Sequence, residues 1–229
     1  MKAAIAMRGM RMSGNMRSLF LAAVCCLACA GGALASNVLL GGENWRFETD
    51  LADGGGVGGY VAHHSSSAIT TEWYPKQNIM LNLRFGQLLS DLEDETTAST
   101  LSGDGYYLLA GVNLRQELGN GGGLMFDAAY SMGWTDIDPT REYDHQRTHL
   151  MVGYLFGPIE RSRFFAGVAY NIYDSDLKDS GGGPNLSFEG DSKISVVAGV
   201  SARSDSFAGT AEIWAMGEWG FRLGLAFGW

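Results

Sequence analysis

The sequence predicts an all-β fold in which one antiparallel sheet closes on itself, and three observations predict it. Apolar residues recur with a period of two in ten segments, the connections between those segments alternate in length, and the opposite face of the segments is made of glycine and of charges of both signs. The 229-residue chain carries 33 glycines, 4 prolines and 46% hydrophobic residues, a composition that excludes collagen-like and disordered classes.

The first element is a leader. Residues 1–17 are basic, residues 18–30 are apolar, and Ala33-Leu34-Ala35 supplies small residues for cleavage before Ser36. Residues 1–35 are therefore expected to be a cleavable secretory signal peptide and 36–229 the barrel domain. The apolar run is too short for an anchor helix, which needs roughly 20 residues. Cys25, Cys26 and Cys29 all lie in that run, so no disulfide is expected in the mature chain. Without the leader, 12 basic groups face 25 acidic ones, a balance that repels phosphates and excludes a nucleic-acid partner.

The strands follow in order. A weak alternation runs from Trp45 to Leu51 and another from Ile69 to Trp73. Strong ones follow: Ile79, Leu81, Leu83 and Phe85; Tyr106, Leu108, Ala110, Val112 and Leu114; Leu124, Phe126, Ala128, Tyr130 and Met132. The pattern returns in Leu150, Val152, Tyr154 and Phe156, in Phe164, Ala166, Val168, Tyr170 and Ile172, and in Ile194, Val196, Ala198 and Val200. Residues 207–215 alternate weakly, and Phe221, Leu223, Leu225, Phe227 and Trp229 alternate without error. Residues 75–78, 118–122, 157–162 and 203–206 read as tight turns, whereas 53–66, 90–104, 135–146 and 174–192 read as long polar loops. The short connection at 217–220 is the exception on the long-loop side. All four prolines fall in connections, as expected where strands are hydrogen-bonded on both edges.

The polarity of the two faces separates a soluble sandwich from a barrel in lipid. A sandwich turns a lysine-, glutamate- and threonine-rich face to water. Here that face holds Gly86, Gly111, Gly133, Gly153, Gly167, Gly199, Gly224 and Gly228, which relieve crowding inside a narrow cylinder. The same face carries Arg46, Glu48, Glu72, Arg84, Arg115, Asp127, His149, Lys193, Glu212 and Arg222, expected to neutralise one another as a charge network in the lumen. Aromatics collect at the strand ends: Trp45, Trp73, Tyr74, Phe156, Phe164 and Trp229 at the short-turn end, Tyr106, Trp134, Tyr173 and Trp219 at the other. Two aromatic girdles flanking an apolar band are what a transmembrane barrel presents to lipid, where every backbone amide must find a partner and the sheet must close. The expected fold is a closed antiparallel transmembrane up-and-down β-barrel of ten strands. Eight strands, with the segments before Pro75 as an N-terminal extension, are the alternative.

Phe221, Leu223, Leu225, Phe227 and Trp229 form an amphipathic last strand that stops on an aromatic. This pattern resembles the assembly signal of bacterial outer-membrane β-barrels of the small, porin-like type, with tryptophan where phenylalanine is usual. The resemblance covers 36–229 as a pattern of pleats. It implies a protein of the cell outer membrane, reached through the periplasm, with outer-membrane lipid, lipopolysaccharide and the barrel-assembly machinery as partners. It implies a porin-like or structural surface protein with a narrow charged lumen and acidic extracellular loops. The alternatives are a hydrolase on the same scaffold, either a lipid A deacylase or a surface protease, and an adhesin acting through the long loops.

Chemistry is sparse. Ala129-Tyr130-Ser131-Met132-Gly133 nearly spells a nucleophile elbow, but that motif needs a strand, a sharp turn and a helix, and Ser131 sits mid-pleat. The glycine run 54–59 lacks the lysine and helix of a phosphate loop. His145 and His149 are four apart, a metal spacing on a helix but about 13 Å in extended chain; His149 points to the lumen, where Asp127 or Glu212 would satisfy it. His63-His64-Ser65 has no acid nearby in sequence. No catalytic residue, cofactor or resident metal is expected, and the protein is read as not an enzyme. The acids of the long loops, among them Asp91, Glu93, Asp94, Asp136, Asp138, Glu142, Asp144, Asp174, Asp176 and Asp179, read as a solvated surface that shares loosely bound divalent cations with lipid phosphates.

Overall fold

In the computed structural model ten antiparallel strands form a closed barrel in which each pairs with its neighbours in sequence and the last returns to the first. The structure describes residues 36–51, 59–118, 121–156, 162–203 and 207–227. The leader, the glycine run up to residue 58, and Gly228 and Trp229 lie outside the described residues. The strands are β1 (Ser36–Leu51), β2 (Tyr60–Lys76), β3 (Ile79–Asp94), β4 (Ser99–Leu118), β5 (Gly122–Asp138), β6 (Arg141–Phe156), β7 (Ser162–Asp179), β8 (Leu186–Arg203), β9 (Phe207–Met216) and β10 (Trp219–Phe227). Following hydrogen-bonded partners from Glu43 around the wall in the two directions ends on Thr135 and on Gly123 of β5, twelve residues apart. A stagger of that size tilts the strands by roughly 40° to the barrel axis.

A tilted strand crosses hydrocarbon in roughly 9–11 residues, yet β1 to β8 run for 16 to 20. The extra length lies at the long-loop end. The predicted loops 90–104, 135–146 and 174–192 are mostly strand, joined by residues 95–98, by Pro139–Thr140 and by residues 180–185. What disguises these strands in the sequence is an inversion of polarity between the two faces of the pleat. Low on β6, Leu150 and Val152 face out while His149 and Met151 face in; near the rim Tyr143 and His145 face in while Glu142 faces out. Around the apolar belt the wall is apolar outside, and beyond it the outer face meets water, so apolar residues turn inward. Period two persists through the whole strand, but polarity reads as loop once the outward residues are acids.

The same inversion corrects part of the sequence reading. On β1, Trp45 and Phe47 are buried inside the barrel, and Arg46 and Glu48 therefore lie on the outer face instead of in the lumen network. Tyr173 is likewise interior rather than part of an aromatic girdle. Strand number is ten around the belt, which sets aside the eight-strand alternative, but the rim is narrower. β9 and β10 have only 10 and 9 residues, and above their hairpin β1 pairs directly with β8 through Asp50 and Glu189 and through Leu51 and Phe188. The wall thus passes from ten strands to eight, drawing the rim around its interior side chains.

The turns beyond the belt are held locally. Asp94 accepts from the amides of Thr96 and Thr97 and from the Thr97 hydroxyl, which hold it below the usual carboxylate range. Asp138 accepts from the Thr140 amide and hydroxyl and from Arg141, and is pushed down to about 2. At the other end, Gly121 closes the β4–β5 connection at φ +80°, where a side chain is strained.

Candidate functional site in the barrel lumen

The lumen has two storeys. In the lower, near the belt, Glu43 of β1 is 2% exposed and receives guanidinium groups from three other strands. Arg84 of β3 lies 2.5 Å from Oε2, Arg147 of β6 lies 3.0 Å from Oε1, and Arg222 of β10 reaches both oxygens at 3.2 and 3.3 Å. Each cation is tied a second time. Arg84 donates to Thr70 Oγ1 at 3.0 Å, Arg147 to Glu218 at 2.6 Å, and Arg222 stands 3.6 Å from Glu212. Three cations and three carboxylates from five strands and one turn therefore form one charge-balanced cluster across the cylinder.

Around this cluster the remaining polar groups make smaller sets. Arg115 donates to Asn113, which donates to Asp127 at 3.0 Å. His149 meets Asn171 at 2.6 Å, not Asp127 or Glu212 as the sequence suggested, and Asn171 in turn donates to Glu218. Glu72 accepts from Tyr74 at 2.8 Å. Of the ten predicted network residues, Arg84, Glu212 and Arg222 belong to the central cluster, Glu72, Arg115, Asp127 and His149 line the lumen beside it, Lys193 stands opposite the buried Asn171 of β7, and Arg46 and Glu48 lie outside the barrel. Sequence reasoning missed Glu43, Arg147 and Glu218. Glu43 precedes the weak alternation that runs from Trp45, Arg147 lies just past residues 135–146, whose polarity reads as loop, and Glu218 sits in a hairpin turn.

The upper storey is aromatic. Phe47 stacks on Tyr173 at 3.9 Å, His64 on His145 at 4.4 Å, and Trp45 lies against His64 and Tyr107 at 5.0 and 5.7 Å. His64 also meets Ser90, which meets Thr135. His63 and His64 part because neighbours on a strand point to opposite faces; His64 and His145, 81 residues apart in sequence, come together for the same reason. Arg147 joins the storeys, its guanidinium lying 6.0 Å from the Trp45 ring, 5.6 Å from Tyr173 and 5.5 Å from Trp214. Gly133 is what admits the histidine pair, because a Cβ there would overlap both the His145 ring and Leu88. Gly133→Ala is expected to cost about 1–3 kcal/mol through overpacking, read as a lower urea midpoint for unfolding from lipid vesicles; an unchanged midpoint contradicts the tight upper storey.

This arrangement can hold charge and exclude water, and its serine–histidine contact, Ser90 Oγ to His64 Nδ1 at 2.9 Å, is shut away from solvent, the two residues being 4% and 1% exposed. Ser131 lies in the middle of unbroken β5, opposite Leu109 and Arg147. Among the described residues no group of three or more His, Cys, Asp or Glu side chains is placed to hold a metal ion.

No protein-family model matches the sequence, and no curated protein matches it. Solved structures do match in fold. The transport unit of the autotransporter AIDA-I from Escherichia coli is 11% identical over 84% of this chain and 90% of that one, with a TM-score of 0.46. The β domain of the Bordetella autotransporter BrkA is 11% identical over 85% of this chain and 100% of that one, at 0.44. The outer-membrane protease OmpT from Escherichia coli is 8% identical over 85% of this chain and 93% of that one, at 0.41.

Proposed function

We propose that this chain, a closed ten-stranded barrel of the outer-membrane type, resides in a bacterial outer membrane as a structural or weakly porin-like surface protein without catalysis. The observation that carries this reading is Glu43, buried and bonded to arginines of three other strands, under a stack of rings. Such a lumen passes little, because an ion entering it must part paired charges in a poorly hydrated interior. A hydrolase would need its acid and base groups within reach of substrate, whereas His64, His145 and His149 are 1%, 1% and 8% exposed. Acids on the outer face above the belt, such as Asp104, Asp136 and Glu142 on adjoining strands, share divalent cations with lipopolysaccharide phosphates in this reading.

Fractionation with a heat-modifiability gel tests the placement: the account expects the protein in outer membranes, with a band that shifts on boiling. Recovery in the soluble periplasm would overturn it. The last strand carries the insertion signal in the same proposal. Phe221, Leu223 and Leu225 face outward, while Trp229 lies outside the described residues. Deleting Trp229, or making Phe227→Asp, is expected to reduce outer-membrane yield while export across the inner membrane continues. Unchanged yield in both variants contradicts the signal.

A further inference from the structure

The outer face is not apolar all the way round. On β1, β2 and β3 the outward residues form cross-strand rows, and the first row, Leu40, Ile69 and Phe85, is apolar like the rest of the belt. The next row is Gly42, Ser67 and Gln87, and the next is Asn44, Ser65 and Leu89. Ser65, Ser67 and Gln87 are exposed on this face, while Ser66 between the two serines and His64 before them point into the lumen. These rows sit no higher than the upper girdle, for Gln87 pairs directly with Tyr106, and Arg46, one row further up, pairs with Trp219. Hydrocarbon offers such groups no hydrogen-bond partner, and a lipid-facing belt is normally apolar to its aromatic edge.

The face is complementary to itself. A stagger of twelve residues over ten strands lifts each successive strand by just over one residue, which brings Asn44 on β1 and Gln87 on β3 to the same height on either side of β2. A two-fold axis parallel to the barrel and running along β2 sets each Asn44 against the other copy's Gln87. Ser65, Ser67 and Gly42 keep the centre shallow, so two walls can approach closely, as small residues allow between membrane helices. We propose that this face of β1, β2 and β3 is an isologous interface with a second copy of this chain, formed within the membrane.

Cysteine cross-linking is a clean test, because the three cysteines of the sequence all lie at positions 25–29 and the strands, which begin at Ser36, contain none. Ser65→Cys, oxidised in the outer membrane, is expected to give a disulfide-linked band of two chains. Val152→Cys, exposed on β6, serves as the outward-facing comparison and is expected to give none. Native mass spectrometry of the wild-type protein in lipid nanodiscs is expected to show two chains, and Ser65→Leu with Ser67→Leu is expected to return one chain while heat-modifiability is kept. The proposal is overturned by a wild-type mass of one chain, by Ser65→Cys cross-linking no more than Val152→Cys, or by a Ser65→Cys adduct of a mass other than two chains. None of these outcomes bears on the closed lumen, which is tested separately.

Discussion

Glu43→Gln is expected to weaken the barrel by about 3–5 kcal/mol, the usual cost of leaving buried charges without their partner. The side chain keeps its volume, so packing is little changed, but the carboxylate that joins three guanidiniums is lost. Arg147 retains Glu218 and Arg222 retains Glu212, whereas Arg84 is left with only the Thr70 hydroxyl. The cluster then carries one excess positive charge in the lumen, and the variant is expected to leak anions in preference to cations. Urea unfolding from lipid vesicles reads the stability, and reversal potentials in a salt gradient read the selectivity. Adding Arg84→Gln removes the excess cation and is expected to recover part of the loss, since the two groups interact directly. A Glu43→Gln barrel as stable and as closed as wild type contradicts the role given to the cluster.

Leu150→Arg is expected to cost about 2–4 kcal/mol, the penalty for a cation facing lipid near the middle of the belt. Leu150 is 47% exposed and stands opposite Ala128 and Tyr170, outward residues of the neighbouring strands. Glu142→Arg lies on the same strand and the same face but beyond the girdle, and is expected to cost about 0–1 kcal/mol. Equal penalties for the two would mean that the belt does not end where the polarity of the faces inverts.

The inversion explains what could and could not be read from the sequence. Leu81 to Phe85 and Phe126 to Tyr130 alternate apolar against polar or small because one face meets lipid, and those strands, their outward residues and the lumen position of Arg84, Asp127 and Arg222 are legible from period alone. Beyond the belt the outer face meets water, so Trp45 and Phe47 turn inward while Arg46 and Glu48 turn outward, and a rule that equates apolar with lipid assigns all four to the wrong side. The acids at 91, 142, 144, 174 and 176 look like loop for the same reason, although Leu92, Tyr143, Tyr173, Ser175 and Leu177 beside them keep the alternation. The cluster partners were beyond reach for a different reason: Glu43 meets residues 41, 104 and 179 positions away, pairings fixed by barrel closure and stagger and not by local pattern. The β8 bulge adds a further break, since Asn171 pairs with Lys193 and Tyr173 with Gly190, so interior residues change parity along that strand.

The central claim is that the lumen is closed, and single-channel recording of the wild-type protein in planar bilayers tests it most directly. Around eight strands leave an interior that side chains fill, and open aqueous channels belong to barrels of about 16 to 18. The account predicts no steady current steps from the wild type, and steps appearing when Glu43→Gln unbalances the cluster. Steady, porin-sized steps from the wild type, together with passage of sugars into vesicles carrying it, would contradict the account and make the barrel a diffusion pore.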